Sequence, residues 1–153
     1  MMPELNDYLE AMKSVAGGLK KTVSNLDEEA MNWLPEGLAN TVAGLVRHGS
    51  AAAIWVLGDR VLGQPGIPHP GIDNAPTPKA ELLRAIDDAV AFYEAHVGEV
   101  TAATLTEERA FGSSRRNGRQ LLLMSLRHLA HHTGQVALLA RLWTARHPAA
   151  KTA

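Results

Sequence analysis

The segment His128-Leu-Ala-His131-His132-Thr-Gly-Gln135 lies at the centre of a long apolar run from Leu121 to Ala145. Its spacing predicts a helix, because residues four apart stack on one face of a helix. His128, His132 and Gln135 then share one narrow stripe, whereas His131 lies roughly 60° away from His128 around the axis. Polar groups on an apolar stripe are costly unless something satisfies them. The segment therefore predicts a core helix that carries a polar site.

Three further helices are predicted upstream of this one, over residues 5–26, 40–62 and 77–100. The apolar residues in each recur at helical spacing. Asn40 is the expected cap of the second, and Thr77 with Pro78 is expected to open the third. No segment alternates apolar and polar residues as a half-buried strand would. The sequence thus predicts an all-α protein, a four-helix bundle.

The connector over residues 63–76 is rich in proline and glycine, which excludes both a helix and a central strand. About 14 residues can stretch ~46 Å. The second helix, at ~1.5 Å per residue, is on the order of 35 Å long. The connector can therefore run the length of the bundle and permit an up-down-down-up order. We expect residues 1–153 to form a single domain.

Composition excludes several classes of protein. The formal net charge is -1 and cysteine is absent, which excludes disulfides and thiolate ligands. No long basic block is present, so we expect no nucleic-acid partner. No apolar run reaches the ~18 residues of a membrane span, and the first residues have no signal pattern. We therefore expect a cytoplasmic protein with no membrane partner.

His48 lies on the apolar stripe of the second predicted helix and can join His128 and His132 as a third ligand. Imidazole binds zinc or nickel, our first choices, and also iron or manganese. Three protein ligands leave a position open, as in catalytic sites. Gln135 is expected to act around the ligands or in the substrate pocket. His131 is expected at the rim, although it competes as a ligand.

Other interpretations of these residues stay open. Each histidine can instead be a core residue that hydrogen-bonds to a neighbour. His69 in the proline-rich connector is expected to be solvated. Leu129 follows His128 where an HExxH peptidase needs glutamate, which argues against that class.

Two motifs far apart carry a family resemblance. The first is Trp33-x-Pro35-x-Gly37-x-x-Asn40-Thr41-(x6)-His48, and the second is His128-x-x-x-His132-x-Gly134-Gln135. Together they resemble the DinB/YfiT-like superfamily. The resemblance implies an up-down-down-up four-helix bundle, often dimeric, with a divalent metal ion on three histidines. These correspond here to His48, His128 and His132.

The resemblance also implies a class of reaction. Relatives include metal-dependent transferases that use small thiols such as bacillithiol or mycothiol. We therefore expect a homodimeric transferase that joins such a thiol to an electrophilic small molecule. The alternative is a non-catalytic, metal-binding dimer associated with stress or DNA damage. Residues 49–53 are small and lack a carboxylate, so no catalytic acid or base is assigned.

Overall fold

The computed structural model describes residues 1–148, and most of them are helical. In chain order the elements are α1 (Pro3–Ser24), α2 (Glu28–Asn32), α3 (Val42–Trp55), α4 (Lys79–His96), α5 (Ala102–Thr106), β1 (Glu108–Phe111), β2 (Ser114–Asn117) and α6 (Gly118–Arg146). A π-helical segment, Val56–Val61, continues α3, and a short 3-10 turn follows α4. The prediction of a helical protein is confirmed.

Each of the four long helices packs against two others. Both α1 and α3 pack against α4 and against α6. Leucine, valine, isoleucine and methionine side chains at helical spacing fill the space between them, and Leu19, Leu82 and Leu129 are each at most 2% exposed. The helices bury their apolar stripes against one another, which is the main source of their stability.

The helix ends differ slightly from the prediction, because local hydrogen bonds select them. Thr41, rather than Asn40, caps α3: its hydroxyl accepts the amide of Gly44 at 3.0 Å. Helix α4 begins at Lys79, and the Thr77 hydroxyl donates to the carbonyl of Ala75 instead of capping it. At the start of α6, Asn117 and Gln120 form a reciprocal capping box.

The expectation of an all-α chain without strands was wrong between α5 and α6. There β1 and β2 form a two-stranded antiparallel hairpin, with Phe111 opposite Ser114. Gly112 in the turn has φ 59°, a conformation that favours glycine. β1 alternates exposed and half-buried positions, but its sequence Glu108-Arg109-Ala110-Phe111 does not alternate polar and apolar residues. No strand could therefore be predicted here from the sequence.

The connector between α3 and α4 folds back along α3. The Asn74 side chain accepts the amide of Thr41 at 2.9 Å and donates to the carbonyl of Ala39 at 2.8 Å. Arg47 pairs with Asp73. A Cβ on Gly44 would lie 2.6 Å from the Asp73 carbonyl oxygen, so glycine permits this close contact. These contacts bring residues 69–71 beside the histidine of α3.

In the described residues 1–148, no helix has the length and apolar character needed to cross a bilayer. The end of the expected 1–153 domain, residues 149–153, lies outside the described residues.

Candidate metal centre and adjoining cavity

The structure brings His48 on α3 together with His128 and His132 on α6. His132 is buried, and the other two side chains are half-buried. Gly49, next to His48, lets the two helices approach: a Cβ there would lie 3.3 Å from Leu129 and 3.7 Å from the His132 ring. The small residue after the histidine therefore serves helix packing.

The three imidazole rings point their Nε2 atoms at one another. The Nε2 atom of His128 lies 2.9 Å from that of His48 and 3.1 Å from that of His132. The candidate ligand atoms of all three lie within 4.8 Å of one another. Elsewhere in residues 1–148, no three histidine, cysteine or acidic side chains converge in this way.

Hydrogen bonds on the outer side of the cluster fix the tautomer of two imidazole rings. His132 Nδ1 donates to Gln135 Oε1 at 2.7 Å, and His48 Nδ1 donates to the carbonyl of Gly71 at 3.3 Å. A neutral imidazole has one N–H, so each of these rings turns a lone pair on Nε2 toward His128. Such outer partners are typical of metal-binding histidines.

Two of the three imidazoles have a lowered pKa, which favours their neutral form. Burial is the largest cause that lowers the pKa of His128 to about 4, and the neighbouring His132, His48 and His131 lower it further. Burial also lowers the pKa of His132, against the hydrogen bond to Gln135, which raises it. At neutral pH His128 and His132 are therefore neutral imidazoles, so no imidazolium has to lose its proton before a metal ion binds.

These residues fit a divalent metal ion. The single N–H of His128 can satisfy only one of the two lone pairs that face it, whereas one cation would satisfy all three rings. Three neutral nitrogen donors suit zinc or nickel among the common divalent ions.

The other two predicted site residues differ in position. Gln135 contacts His132 directly, as described above. His131 is exposed, and its ring centroid lies 5.3 Å from that of His132. It borders a shallow groove on the outer face of α6 with Met124 and Arg127. His131 therefore lies beside the cluster without pointing a nitrogen into it.

A cavity of about 250 Å³ adjoins the cluster, with His48 and His128 in its wall. Ser125 and His69 add polar groups to its lining. The remaining lining side chains are apolar or aromatic: Ala52, Trp55, Val56, Pro70, Phe111 and Met124. A cation held by the histidines would therefore face a largely apolar space.

Sequence reasoning missed three parts of this site. His69 is exposed, as expected, but its edge-on contact with Trp55, with ring centroids 4.5 Å apart, was not predicted. Phe111 is half-buried in the β1–β2 hairpin, where no strand was predicted, and its aromatic ring among polar neighbours was the available signal. The Gly71 carbonyl left no signal, because any residue has a carbonyl.

The fold and this cluster define a class of helical protein with a three-histidine candidate metal site. The family model of the DinB superfamily matches residues 12–136, a range that contains both motifs and all three histidines. The chain belongs to the DinB superfamily, which is a metal-binding family. No curated protein matches the chain.

Proposed function

We propose that this protein is a metal-dependent transferase that joins a low-molecular-weight thiol to an electrophilic small molecule. The observation that carries the proposal is the position of the histidine cluster. Three Nε2 atoms converge at the wall of an apolar cavity, so a bound cation would be accessible to a small substrate. The chain has no cysteine, so the reacting sulfur has to come from a cosubstrate.

In this proposal His48, His128 and His132 hold a zinc or nickel ion, with iron or manganese as further candidates. A divalent cation would bind the thiol sulfur and lower its pKa, so that a thiolate nucleophile forms near neutral pH. Gln135 and the Gly71 carbonyl hold two of the rings in the required tautomer. The apolar cavity wall excludes water and orients the electrophile.

The test is an assay of the purified protein with bacillithiol, mycothiol and other small thiols against a chromogenic electrophile. Zinc or nickel loading is expected to raise turnover, and His132→Ala is expected to abolish the increase. His131→Ala is the matched control, because His131 is the adjacent histidine and points no nitrogen into the cluster. Turnover that is independent of metal, or equal in His132→Ala and the unsubstituted protein, would contradict the proposal.

The alternative, a non-catalytic metal-binding protein of a stress or DNA-damage response, predicts a closed coordination shell. Cobalt substitution separates the two, since the visible spectrum of cobalt reports its ligands. We expect added thiol to change the spectrum, because His48 and His128 border the cavity. An unchanged spectrum at saturating thiol would favour the non-catalytic alternative.

We also propose the up-down-down-up helix order within a single domain. Ion pairs support it: Glu4 with Arg119 joins the starts of α1 and α6, which suits parallel helices. Lys13 pairs with Glu94 and Lys20 with Asp87, which suits antiparallel α1 and α4. The long folded-back connector supports parallel α3 and α4.

A homodimer that acts in the cytoplasm, where small thiols stay reduced, completes the proposal. Exposed leucines beside the Trp33 region support a dimer surface, since Leu38 and Leu138 line one shallow groove. Analytical ultracentrifugation is expected to give twice the mass of one chain for the unsubstituted protein. The Leu138→Glu variant is expected to have the mass of a single chain. A monomeric unsubstituted protein would refute the dimer.

A further inference from the structure

The chemistry of the cavity beside the histidine cluster restricts what can enter it. In the part of the chain that the structure describes, no lysine, arginine, aspartate or glutamate lines this cavity. Its polar groups are the imidazoles and the Ser125 hydroxyl, and that hydroxyl already accepts a hydrogen bond from Tyr93 at 2.8 Å. Apart from a metal ion on the histidines, a charged ligand would therefore lose its water without gaining a counter-ion from the cavity wall, which is costly.

Two arginines contact aromatic side chains of the cavity wall. The Arg60 guanidinium lies 4.8 Å from the ring centroid of Trp55, and that of Arg116 lies 5.9 Å from the ring centroid of Phe111. Neither arginine is among the lining residues. Each cation is engaged by an aromatic ring of the wall, so it stabilises the wall without entering the cavity.

Aromatic rings from different parts of the chain meet around the cavity. Trp55 ends α3, His69 lies in the connector and Phe111 ends β1. The Trp55 ring centroid lies 4.5 Å from that of His69 and 6.0 Å from that of Phe111. These separations and the tilted ring planes are those at which aromatic groups attract one another. A planar ring that enters the cavity would therefore meet a wall that contains several aromatic rings.

We propose that the electrophilic substrate of this site is a neutral molecule with a single aromatic ring. The volume supports one ring with a short substituent: a cavity of roughly 150 Å³ accommodates benzene, and this one measures about 250 Å³. The inference rests on the proposed transferase function, and it specifies the substrate class of that same site.

A benzylic halide such as 4-nitrobenzyl chloride illustrates the reaction. The thiolate sulfur supplies the electron pair of a new carbon–sulfur bond as the carbon–chlorine bond breaks. Chloride leaves with the bonding pair, and the proton of the thiol passes to solvent. No oxidant or reductant is required.

Binding of an unreactive analogue tests the inference without any turnover. Replacing Trp33 and Trp143 with phenylalanine leaves Trp55 as the sole tryptophan of the chain. We expect 4-nitrotoluene to quench the Trp55 fluorescence of this zinc-loaded variant saturably. Calorimetry on the unsubstituted protein is expected to give the same affinity within twofold, which checks that the replacements are harmless.

The charged counterpart is 4-nitrobenzenesulfonate, whose sulfonate is a poor metal ligand. We expect it to bind at least about tenfold more weakly than 4-nitrotoluene, because no charged side chain of the cavity wall pairs with the sulfonate. Equal or tighter binding of the sulfonate would overturn the inference, since it would mean that the bound metal ion or an inward-turned arginine compensates its charge.

The two phenylalanines of the chain provide matched variants. Phe111→Ala removes a ring from the cavity wall and is expected to weaken 4-nitrotoluene binding about tenfold. Phe92→Ala removes a ring that packs against His96, outside the cavity, and is expected to change the affinity by less than twofold. Equal effects of both variants would overturn the inference, because they would indicate a general loss of packing.

The outcomes separate this inference from the proposed function. If 4-nitrotoluene does not bind while thiol transfer to another electrophile depends on metal, the function stands and the substrate class is wrong. If the probe binds as described but no thiol reacts with 4-nitrobenzyl chloride, the cavity does select neutral aromatic molecules. The transferase proposal would then be wrong.

Discussion

At the scale of single residues, Gln135 shows how a neighbour prepares a candidate ligand. Its Oε1 atom accepts the Nδ1–H of His132 at 2.7 Å, which leaves the Nε2 lone pair free for the cluster. The two residues are three apart on α6, so the helix itself brings them together. The Gly71 carbonyl does the same for His48 from a distant part of the chain.

This arrangement predicts that two substitutions of Gln135 differ in their effect on zinc affinity. Gln135→Leu removes the acceptor and is expected to lower zinc affinity about 10–100-fold, the usual effect of losing an outer hydrogen bond. Gln135→Glu keeps an acceptor oxygen and is expected to stay within a few-fold of the unsubstituted protein. Competition with a chromogenic chelator measures both affinities. Unchanged affinity in Gln135→Leu would show that Gln135 does not prepare His132.

Tyr93 predicts an effect of alkaline pH on stability. Burial raises its pKa to about 12, whereas a tyrosine in the unfolded chain has a pKa of about 10. Because the folded protein holds the Tyr93 proton more tightly than the unfolded chain, this group contributes stability that is fully present below about pH 10. That contribution is lost as the pH rises from about 10 to about 12. Ionisation of Tyr93 should therefore lower the free energy of unfolding by about 2 kcal/mol between pH 9 and pH 12.

The Tyr93→Phe variant isolates this effect, because other groups titrate equally in both proteins. Near pH 8 the variant should be about 1 kcal/mol less stable, since it lacks the hydrogen bond to Ser125. Near pH 12 the order should reverse. Urea unfolding at a series of pH values measures the difference in free energy, and a constant difference would contradict the prediction.

At the scale of elements, sequence periodicity predicted the helices and failed for the segments between them. The spacing of Leu121, Ser125, His128 and His132 follows the helical repeat, so their common face could be predicted. The path of the connector depends on contacts such as Asn74 with Thr41, which are 33 residues apart. No local pattern reveals such pairs, so the contact of His69 with Trp55 could not be predicted.

The π-helical segment Val56–Val61 is a second feature without a sequence signal. It follows Trp55 directly, and Arg109 of the hairpin donates to the carbonyl of Arg60 at 3.2 Å. Such segments are rare and often occur at functional sites. Here it joins the aromatic end of α3 to the hairpin that closes the cavity.

A pair of glycine substitutions tests the connector. In Gly44→Ala the new Cβ would lie 2.6 Å from the Asp73 carbonyl oxygen, so the backbone of the connector has to move. We expect a loss of about 1–3 kcal/mol in the free energy of unfolding. Gly17→Ala in α1 meets nothing within 4 Å and is expected to stabilise the protein by about 0.5–1 kcal/mol.

Urea unfolding compares the two alanine variants with the unsubstituted protein. Hydrogen exchange adds a local measurement, and we expect faster exchange over residues 69–75 in Gly44→Ala alone. Equal stability of the two variants would show that the connector does not depend on close packing against α3.

At the scale of the whole molecule, the histidine cluster joins α3 to α6, so a bound metal ion links helices that are distant in sequence. An ion that binds only the folded protein stabilises it by about 2.7 kcal/mol at 100 times its dissociation constant. For a chain of this length that corresponds to a rise of roughly 5–10 °C in Tm. Differential scanning calorimetry with and without zinc measures the rise, and a chelator should reverse it.

His48→Ala on α3 and His128→Ala on α6 should each abolish the rise, whereas His131→Ala should keep it. If His48→Ala kept the full rise, the ion would be bound by α6 alone, and the cluster would not join the two helices.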